Sequence, residues 1–143
     1  MSWRQVIRQN TYTQLSDHRA ANAADLGEVY KTRPAGTPAT PFAYVGDITT
    51  SFRFPGSTLR VQTTGSVEVV FLTDVVDNTE AKDELDELAD GFVDRVSALP
   101  HYLGSNTSWD TIDVSDTSES VGGVEYSGVA VVIGGITGQE GGY

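Results

Sequence analysis

The chain has 143 residues, of which 38% are hydrophobic and 20% charged, and this profile is typical of one globular domain. It contains no cysteine, which excludes disulfides, thiolate zinc sites, iron–sulfur clusters and a thiol nucleophile. Its net charge of −11 argues against a nucleic-acid-binding protein, because affinity for phosphate backbones comes mainly from Lys and Arg.

The charges are unevenly distributed along the chain. Residues 1–60 hold seven basic and four acidic side chains, whereas residues 61–143 hold two basic and sixteen acidic ones. Such a polarity can orient a subunit among identical neighbours, or repel DNA from one surface. No apolar run approaches the length of a membrane span, and Arg4 and Arg8 lie where a signal peptide would have its apolar core. We therefore expect a soluble, unprocessed chain that contacts no membrane.

The first part of the chain predicts helix, a short strand and then an arm. Apolar spacing predicts a helix from Ser2 to about Thr13, and the Ala-rich stretch His18–Ala24 predicts a second helical segment. Glu28–Lys31 is typical of a short strand. The segment Arg33–Pro41 carries three prolines and a glycine, which favour an extended, solvated loop or arm.

The next part predicts β-structure. Phe42–Asp47 alternates apolar and small residues as a strand does, and Pro55–Gly56 indicates a turn. Thr58–Thr63 and Val67–Thr73 are rich in β-formers. The Thr64-Gly65-Ser66 sequence between them predicts a hairpin turn.

A long amphipathic helix is predicted over residues 77–99. The face of this helix opposite its apolar stripe is charged. Asp77 or Thr79 can cap the start of the helix, and Pro100 ends it. One apolar stripe runs along it at steps of three and four residues: Ala81, Leu85, Leu88, Phe92, Val96 and Leu99.

The last part predicts two strands and a tail. Trp109–Val114 and Val124–Ile133 are typical of strands, with a Ser/Thr/Asp/Gly turn region between them. Gly128 suggests a bulge in the second strand. The Gly-rich segment 134–143 is expected to be a flexible tail in an isolated monomer.

These elements together predict an α+β fold with a mostly antiparallel β-sheet. The long helix 77–99 and the N-terminal helix are expected to pack on one face of the sheet. We expect a single domain over residues 1–133, followed by the tail 134–143.

Catalytic and metal-binding patterns are weak. The run Asp83–Asp90 places carboxylates on adjacent helical turns, but no histidine or glycine-punctuated loop completes a ligand set, so a solvated helix face is the favoured interpretation. His18 and His101 have no visible triad partners, and the paired glycines lack the spacing of a phosphate cradle. We therefore assign no catalytic, cofactor-binding or metal-binding residue.

A partner-binding surface is the more specific hypothesis. Scattered solubilising charge explains most of the N-terminal basic residues. Phe52-Arg53-Phe54, placed just before Pro55–Gly56, would nevertheless suit a partner contact if exposed.

Most of the chain resembles the tail terminators of phages with long non-contractile tails. Loose motifs carry the resemblance: VY-x-x-RP-x-G-x-P-x-x-PFAYVGD over residues 29–47, then VEVVFLTD, TEAKDELDELADGFVDRV, a Trp-containing strand and GGVEYSGVAVVIGG. The family likeness implies a non-enzymatic virion protein without a cofactor. Its subunits form a ring, usually hexameric, that caps the finished tail tube and stops its polymerisation.

The resemblance also implies partners and a location. These partners are further copies of the chain, the tail tube protein and the head–tail connector protein, with genomic DNA passing through the lumen without specific binding. The protein is expected at the tail–neck junction of the virion, after assembly in the host cytoplasm. The candidate contact residues are Arg33, Pro34, Pro38, Pro41, Phe52, Arg53 and Phe54.

Two alternatives stay open. Another connector component, such as a head-closure or adaptor protein, would share the same setting and differ in the neighbouring ring it binds. A cellular binding module or small enzyme would instead be a monomer with a deep polar pocket around His18 or His101.

Overall fold

The computed structural model describes residues 2–21, 26–53, 62–74, 79–104 and 107–139. These residues form two helices and a mixed sheet, so the fold is α+β as predicted. The elements in chain order are α1 (Trp3–Ala21), β1 (Val29–Tyr30), β2 (Phe42–Arg53), β3 (Gln62–Asp74), α2 (Thr79–Ser97), β4 (Thr107–Ser108), β5 (Thr111–Val121) and β6 (Val124–Gln139).

The C-terminal strand β6 lies inside the sheet. The strand order is β1-β2-β3-β6, and both β5 and β4 pair with the far side of β6. β1 runs parallel to β2, and the other pairs are antiparallel. β6 is therefore covered on both sides by backbone hydrogen-bonding partners, while β5 lies at one end of the sheet and β1 with β2 at the other.

The two faces of the sheet are covered differently. Both helices pack on one face, where α1 contacts β2 and α2 contacts β3 and β6. Alternate side chains of the strands meet them there, as the two-residue period of a strand requires. The opposite face holds a smaller cluster: Phe42, Tyr44, Val70, Leu72, Val121 and Tyr126, with the Tyr30 ring against it.

α1 is one continuous helix, so the prediction of two segments, Ser2–Thr13 and His18–Ala24, is wrong. It begins with a reciprocal cap. The backbone N–H of Gln5 donates to Ser2 Oγ at 3.2 Å, and the backbone N–H of Ser2 donates to Gln5 Oε1 at 2.7 Å. The buried stripe that holds it together includes two polar residues, Thr11 and His18, between the apolar ones. With polar residues at both positions, Leu15 is the only apolar residue of the buried stripe after Ile7, so the apolar pattern does not connect the two predicted segments.

α2 confirms the predicted amphipathic helix. Leu85, Leu88, Phe92 and Val96 are buried, as the stripe requires. Leu99 is 40% exposed because the helix ends at Ser97, before the stripe reaches it. The side chain of Ala81 and the cap residue Asp77 lie outside the described residues.

The predicted hairpin turn at Thr64-Gly65-Ser66 is wrong, because β3 runs through it without a break. β3 is paired along its length with β2 on one side and β6 on the other. A Cβ on Gly65 would lie 2.3 Å from the Thr49 carbonyl oxygen, so glycine here permits the close approach of β2. The predicted turn at Pro55–Gly56 lies outside the described residues.

The turn region predicted after Val114 is strand up to Val121. The reversal occurs at Gly122-Gly123, whose φ angles of +59° and +81° are those of a two-residue hairpin turn. After Ile112 the side chains of the strand continue to alternate between the two faces of the sheet, although most of them belong to Ser, Thr and acidic residues. Pairing with β6 overrides their weak intrinsic preference for strand.

β6 extends to Gln139, so residues 134–139 belong to the sheet and not to a flexible tail. Ile136 is fully buried, which explains why this segment packs. Residues 140–143 lie outside the described part. The register shift falls at Gly134-Gly135, where Gly135 has φ +63°, and not at Gly128 as predicted.

Candidate interaction surfaces

Opposite charges lie toward the two ends of the sheet. Residues 2–21 and 26–53, which form α1, β1, the 33–41 arm and β2, hold six basic and three acidic side chains, and one of the basic ones, Arg33, pairs with Glu119 of β5. At the other end, residues 107–139 of β4, β5 and β6 hold five acidic and no basic side chains. α2 packs toward the same end and holds seven acidic and two basic ones. The charge asymmetry of the sequence thus places most of the described basic side chains toward one end of the sheet and most of the acidic ones toward the other.

Both ends of the sheet have an open backbone edge among the described residues. β5 pairs with β6 over eleven residues without a register shift, and no described strand pairs with its other side. At the opposite end, β1 pairs only with Ala43 and Tyr44. The outer side of β2 from Ile48 to Arg53 therefore has no strand partner in the described chain. Open edges present unpaired N–H and C=O groups that can bind another strand.

Exposed apolar side chains lie on these two edges. Phe52, near the end of β2, is 58% exposed, and Val114, on β5, is 46% exposed. Arg53 follows Phe52 and is also exposed, as the predicted contact at residues 52–54 requires. Phe54 lies outside the described residues. The sequence reasoning missed Val114 because it assigned the following Ser/Thr/Asp run to a turn.

The Arg33–Pro41 arm folds back on its own chain. Arg33 donates a hydrogen bond to Glu119 Oε2 at 3.2 Å and another to the Ser120 carbonyl at the end of β5. Pro41 accepts the amide of Gly27 at 2.8 Å through its carbonyl oxygen. Pro34, Pro38 and Pro41 are half-buried. The structure thus separates the arm prolines from the exposed Phe52 and Arg53, and places Arg33 in an intramolecular ion pair.

A glycine contact fixes the arm to the β5–β6 turn. A Cβ on Gly122 would lie 2.1 Å from the Gly36 carbonyl oxygen, whereas a Cβ on Gly123 would meet no atom within 4 Å. Both glycines have positive φ, so both alanine variants share the backbone penalty of about 1–2 kcal/mol.

We expect Gly122→Ala to destabilise the fold by more than Gly123→Ala and to loosen the arm. Urea unfolding measures the first effect, and the rate of trypsin cleavage after Lys31 in the native protein measures the second. Equal unfolding free energies and equal cleavage rates for the two variants would contradict the contact between turn and arm.

A polar cavity of about 180 Å³ lies between the arm and the sheet. Arg33 is paired with Glu119, and Arg8 donates to the carbonyls of Lys31 and Val45, so both guanidinium groups have partners within the chain. Burial raises the pKa of Tyr44 to about 12, so its phenol stays protonated at neutral pH. The residues that line the cavity include Arg8, Arg33, Tyr44, Asp47, Glu68 and Glu119.

Glu68 places a half-buried carboxyl group in this cavity. Burial, and then the nearby charges of Asp47 and Glu119, raise the pKa of its carboxyl group. The folded state therefore holds this proton to a higher pH than the unfolded state does. Stability is lost as pH rises through the window from the ordinary pKa of 4.5 to the raised value.

Glu68→Gln is expected to stabilise the protein at pH 7 relative to the unchanged chain, with little gain at pH 4. Unfolding free energies measured at both pH values test this expectation. Glu125→Gln, at an exposed position of β6, is the matched control. A gain that is equal at the two pH values would contradict a raised pKa at Glu68.

The histidines occupy contrasting positions. His18 is buried between the helices, where its Nε2 donates to the Leu88 carbonyl at 2.9 Å and its ring lies edge-on to Phe92. Burial lowers the pKa of this imidazole, which favours the neutral form. His101 is exposed. Neither histidine lines the cavity beside the arm.

The acidic run on α2 faces outward. Asp83, Glu87 and Asp90 are exposed, and Lys82 bridges to Asp116 of β5 at 3.0 Å. Within the described residues, no three His, Asp or Glu side chains are grouped as metal ligands would be. The described helices also include none that is both long and apolar enough to span a membrane.

Comparison with known proteins adds no relative. The chain matches no protein-family model, and no curated protein shows significant sequence similarity to it.

Proposed function

We propose that this chain is a structural virion protein, a tail terminator whose subunits form a ring on the completed tail tube. The ring stops polymerisation of the tube, provides the surface that joins the head connector, and lets DNA pass. In this proposal, neighbouring subunits contact each other through the edges of their mostly antiparallel sheets. The protein has no catalytic role and needs no cofactor.

The observation that carries the proposal is the charge difference between the two ends of the sheet. A basic end that meets the acidic end of the next subunit makes a head-to-tail contact, and such a heterologous contact forms a ring when the rotation from subunit to subunit closes. The same charges disfavour contacts between two acidic ends or two basic ends. One kind of contact, repeated around the ring, is thereby selected.

The size of the chain is compatible with passage of DNA. A compact chain of 143 residues has an effective diameter of about 37 Å. Six equal spheres in a ring leave a central hole of about the same width, which exceeds the roughly 20 Å of duplex DNA. A lumen lined by acidic side chains would not retain DNA, because no counterion release would reward the contact.

The test is the mass of the purified chain by light scattering over a concentration series, with and without Mg²⁺, followed by imaging and by mixing with tail tubes. Rings of about six subunits that bind tube ends and block further growth are the expected result. Because the contact is electrostatic, raising the salt concentration should weaken it. A monomer that binds no tube end under any of these conditions would overturn the proposal.

The same experiment separates the terminator from other connector components. A ring that binds the isolated head connector but not the tube end would indicate a head-closure or adaptor protein. A strict monomer would instead favour a cellular binding module or an enzyme, and ligand screening at the cavity beside the arm would follow.

A further inference from the structure

We infer that subunits join by adding β5 of one copy to the outer side of β2 in the next copy, antiparallel and with Val114 opposite Phe52. This inference rests on the ring proposed above and specifies its interface. The contact joins Ile48–Arg53 of one copy to Asp113–Ser118 of the other and continues the sheet from subunit to subunit.

The outer edge of β5 lacks several of the features that protect sheet edges. Its eleven residues include no proline, glycine or lysine, and no bulge interrupts its pairing with β6. It does carry Asp113, Asp116 and Glu119, so two β5 edges placed together would oppose like charges. The natural partner is therefore an edge of the other charge, and the outer side of β2 lies at the basic end.

The strand directions agree with this partner. β2, β3, β6 and β5 alternate in direction across the sheet, so β2 and β5 are antiparallel to each other. When two copies are placed side by side with their helices on the same face, β5 of one copy runs antiparallel to β2 of the next. The two edges can then form an ordinary antiparallel ladder.

The side chains on the helix-covered face select the register. Thr50 contacts Arg4 of α1 and Asp116 contacts Lys82 of α2, so both point to this face. Because strand side chains alternate, Phe52 and Val114 point to the same face. Pairing them buries two exposed apolar side chains in one contact.

The same register matches charges on both faces. Residue numbers run in opposite directions in an antiparallel pair, so Phe52 opposite Val114 places Arg53 opposite Asp113 on the face away from the helices. It also places Thr50 opposite Asp116. The guanidinium of Arg4, which donates to Thr50 Oγ1 at 3.2 Å, then lies near an acidic side chain of the neighbour. The run ends at Ile48, where β2 changes register with β3.

The absence of cysteine from the chain allows a direct test of this register. Ser51 and Ser115 are exposed and directly opposite in the inferred pair. Directly opposed strand residues lie about 4.5–5.5 Å apart at Cα, within the range of about 4.4–6.8 Å that a disulfide spans. Ser51→Cys and Ser115→Cys proteins are mixed, oxidised mildly and separated on a non-reducing gel.

The expected result is several-fold more disulfide-linked dimer from this mixture than from Ser51→Cys mixed with Ser118→Cys. Ser118 is an exposed serine of the same strand, but its side chain points to the other face. Equal yields from the two mixtures would overturn the register. Dimers from Ser115→Cys alone, in the same yield as the mixture, would indicate that β5 pairs with β5.

The outcomes separate this inference from the proposed function. Rings that bind tube ends but show no preference for the Ser51–Ser115 pair would overturn the edge pairing and leave the terminator function standing. The preferred disulfide in a protein that binds no tube end would support the pairing and overturn the terminator function.

Discussion

Replacing Phe92 by alanine is expected to lower the free energy of unfolding by about 3–5 kcal/mol. The ring is fully buried beneath the sheet, with the Phe71 ring centroid 5.9 Å away and the His18 ring 6.0 Å away. Its removal would leave a cavity between both helices and β3. Because domains of this size are stable by about 5–15 kcal/mol, the loss is a large part of the total. Urea denaturation measures it.

Leu99→Ala is the matched control for this variant. Leu99 is a large apolar residue just beyond α2, but it is 40% exposed and should cost less than about 1 kcal/mol. If the two variants lost the same stability, Phe92 would not occupy the centre of the core.

The two helices show how much of the fold can be predicted from local sequence patterns. α2 could be predicted closely because its apolar stripe, acidic first turns and terminal proline all agree. The sequence predicts α1 as two segments because polar residues at the buried positions Thr11 and His18 leave Leu15 isolated as an apolar residue of the stripe. Their burial is compensated by partners distant in sequence: Tyr102 for Thr11 and the Leu88 carbonyl for His18. A pattern of apolar residues contains no record of such partners.

The strands show why β-structure was harder to predict. Gly65 looks like a turn residue, yet its role depends on the Thr49 carbonyl, which approaches only after β2 has paired with β3. β5 has the composition of a loop, and it becomes a strand because β6 provides a regular ladder beside it. In both cases the deciding contact is long-range, and single-residue preferences do not encode it.

The candidate surface was predictable only in part. The charge difference between the two halves of the chain follows from the sequence. The sequence offers Phe52 and Arg53 as a contact only if they are exposed, and the structure shows that they are. The place of the acidic edge does not follow, because it depends on the insertion of β6 between β3 and β5.

Exchanging the charges of Arg53 and Asp113 is expected to abolish and then restore ring formation. Arg53→Asp alone opposes two carboxylates at every subunit contact, and Asp113→Arg alone opposes two guanidinium groups. An exposed ion pair contributes only about 0.2–1 kcal/mol. A ring of six subunits repeats the contact six times, so each single variant loses several kcal/mol of assembly free energy per ring. The protein that carries both changes regains an opposite-charge pair at each contact.

Light scattering at low and moderate salt measures the fraction of chains in rings for the parent, the two single variants and the double variant. Lys31→Asp has the same charge change as Arg53→Asp and lies on an exposed residue at the same end of the sheet, outside the inferred contact. If charge at that end acted only at long range, Lys31→Asp would weaken rings as much as Arg53→Asp does, and the double variant would stay as weak as the single ones. Recovery in the double variant, with rings intact in Lys31→Asp, requires that Arg53 and Asp113 face each other across the subunit contact.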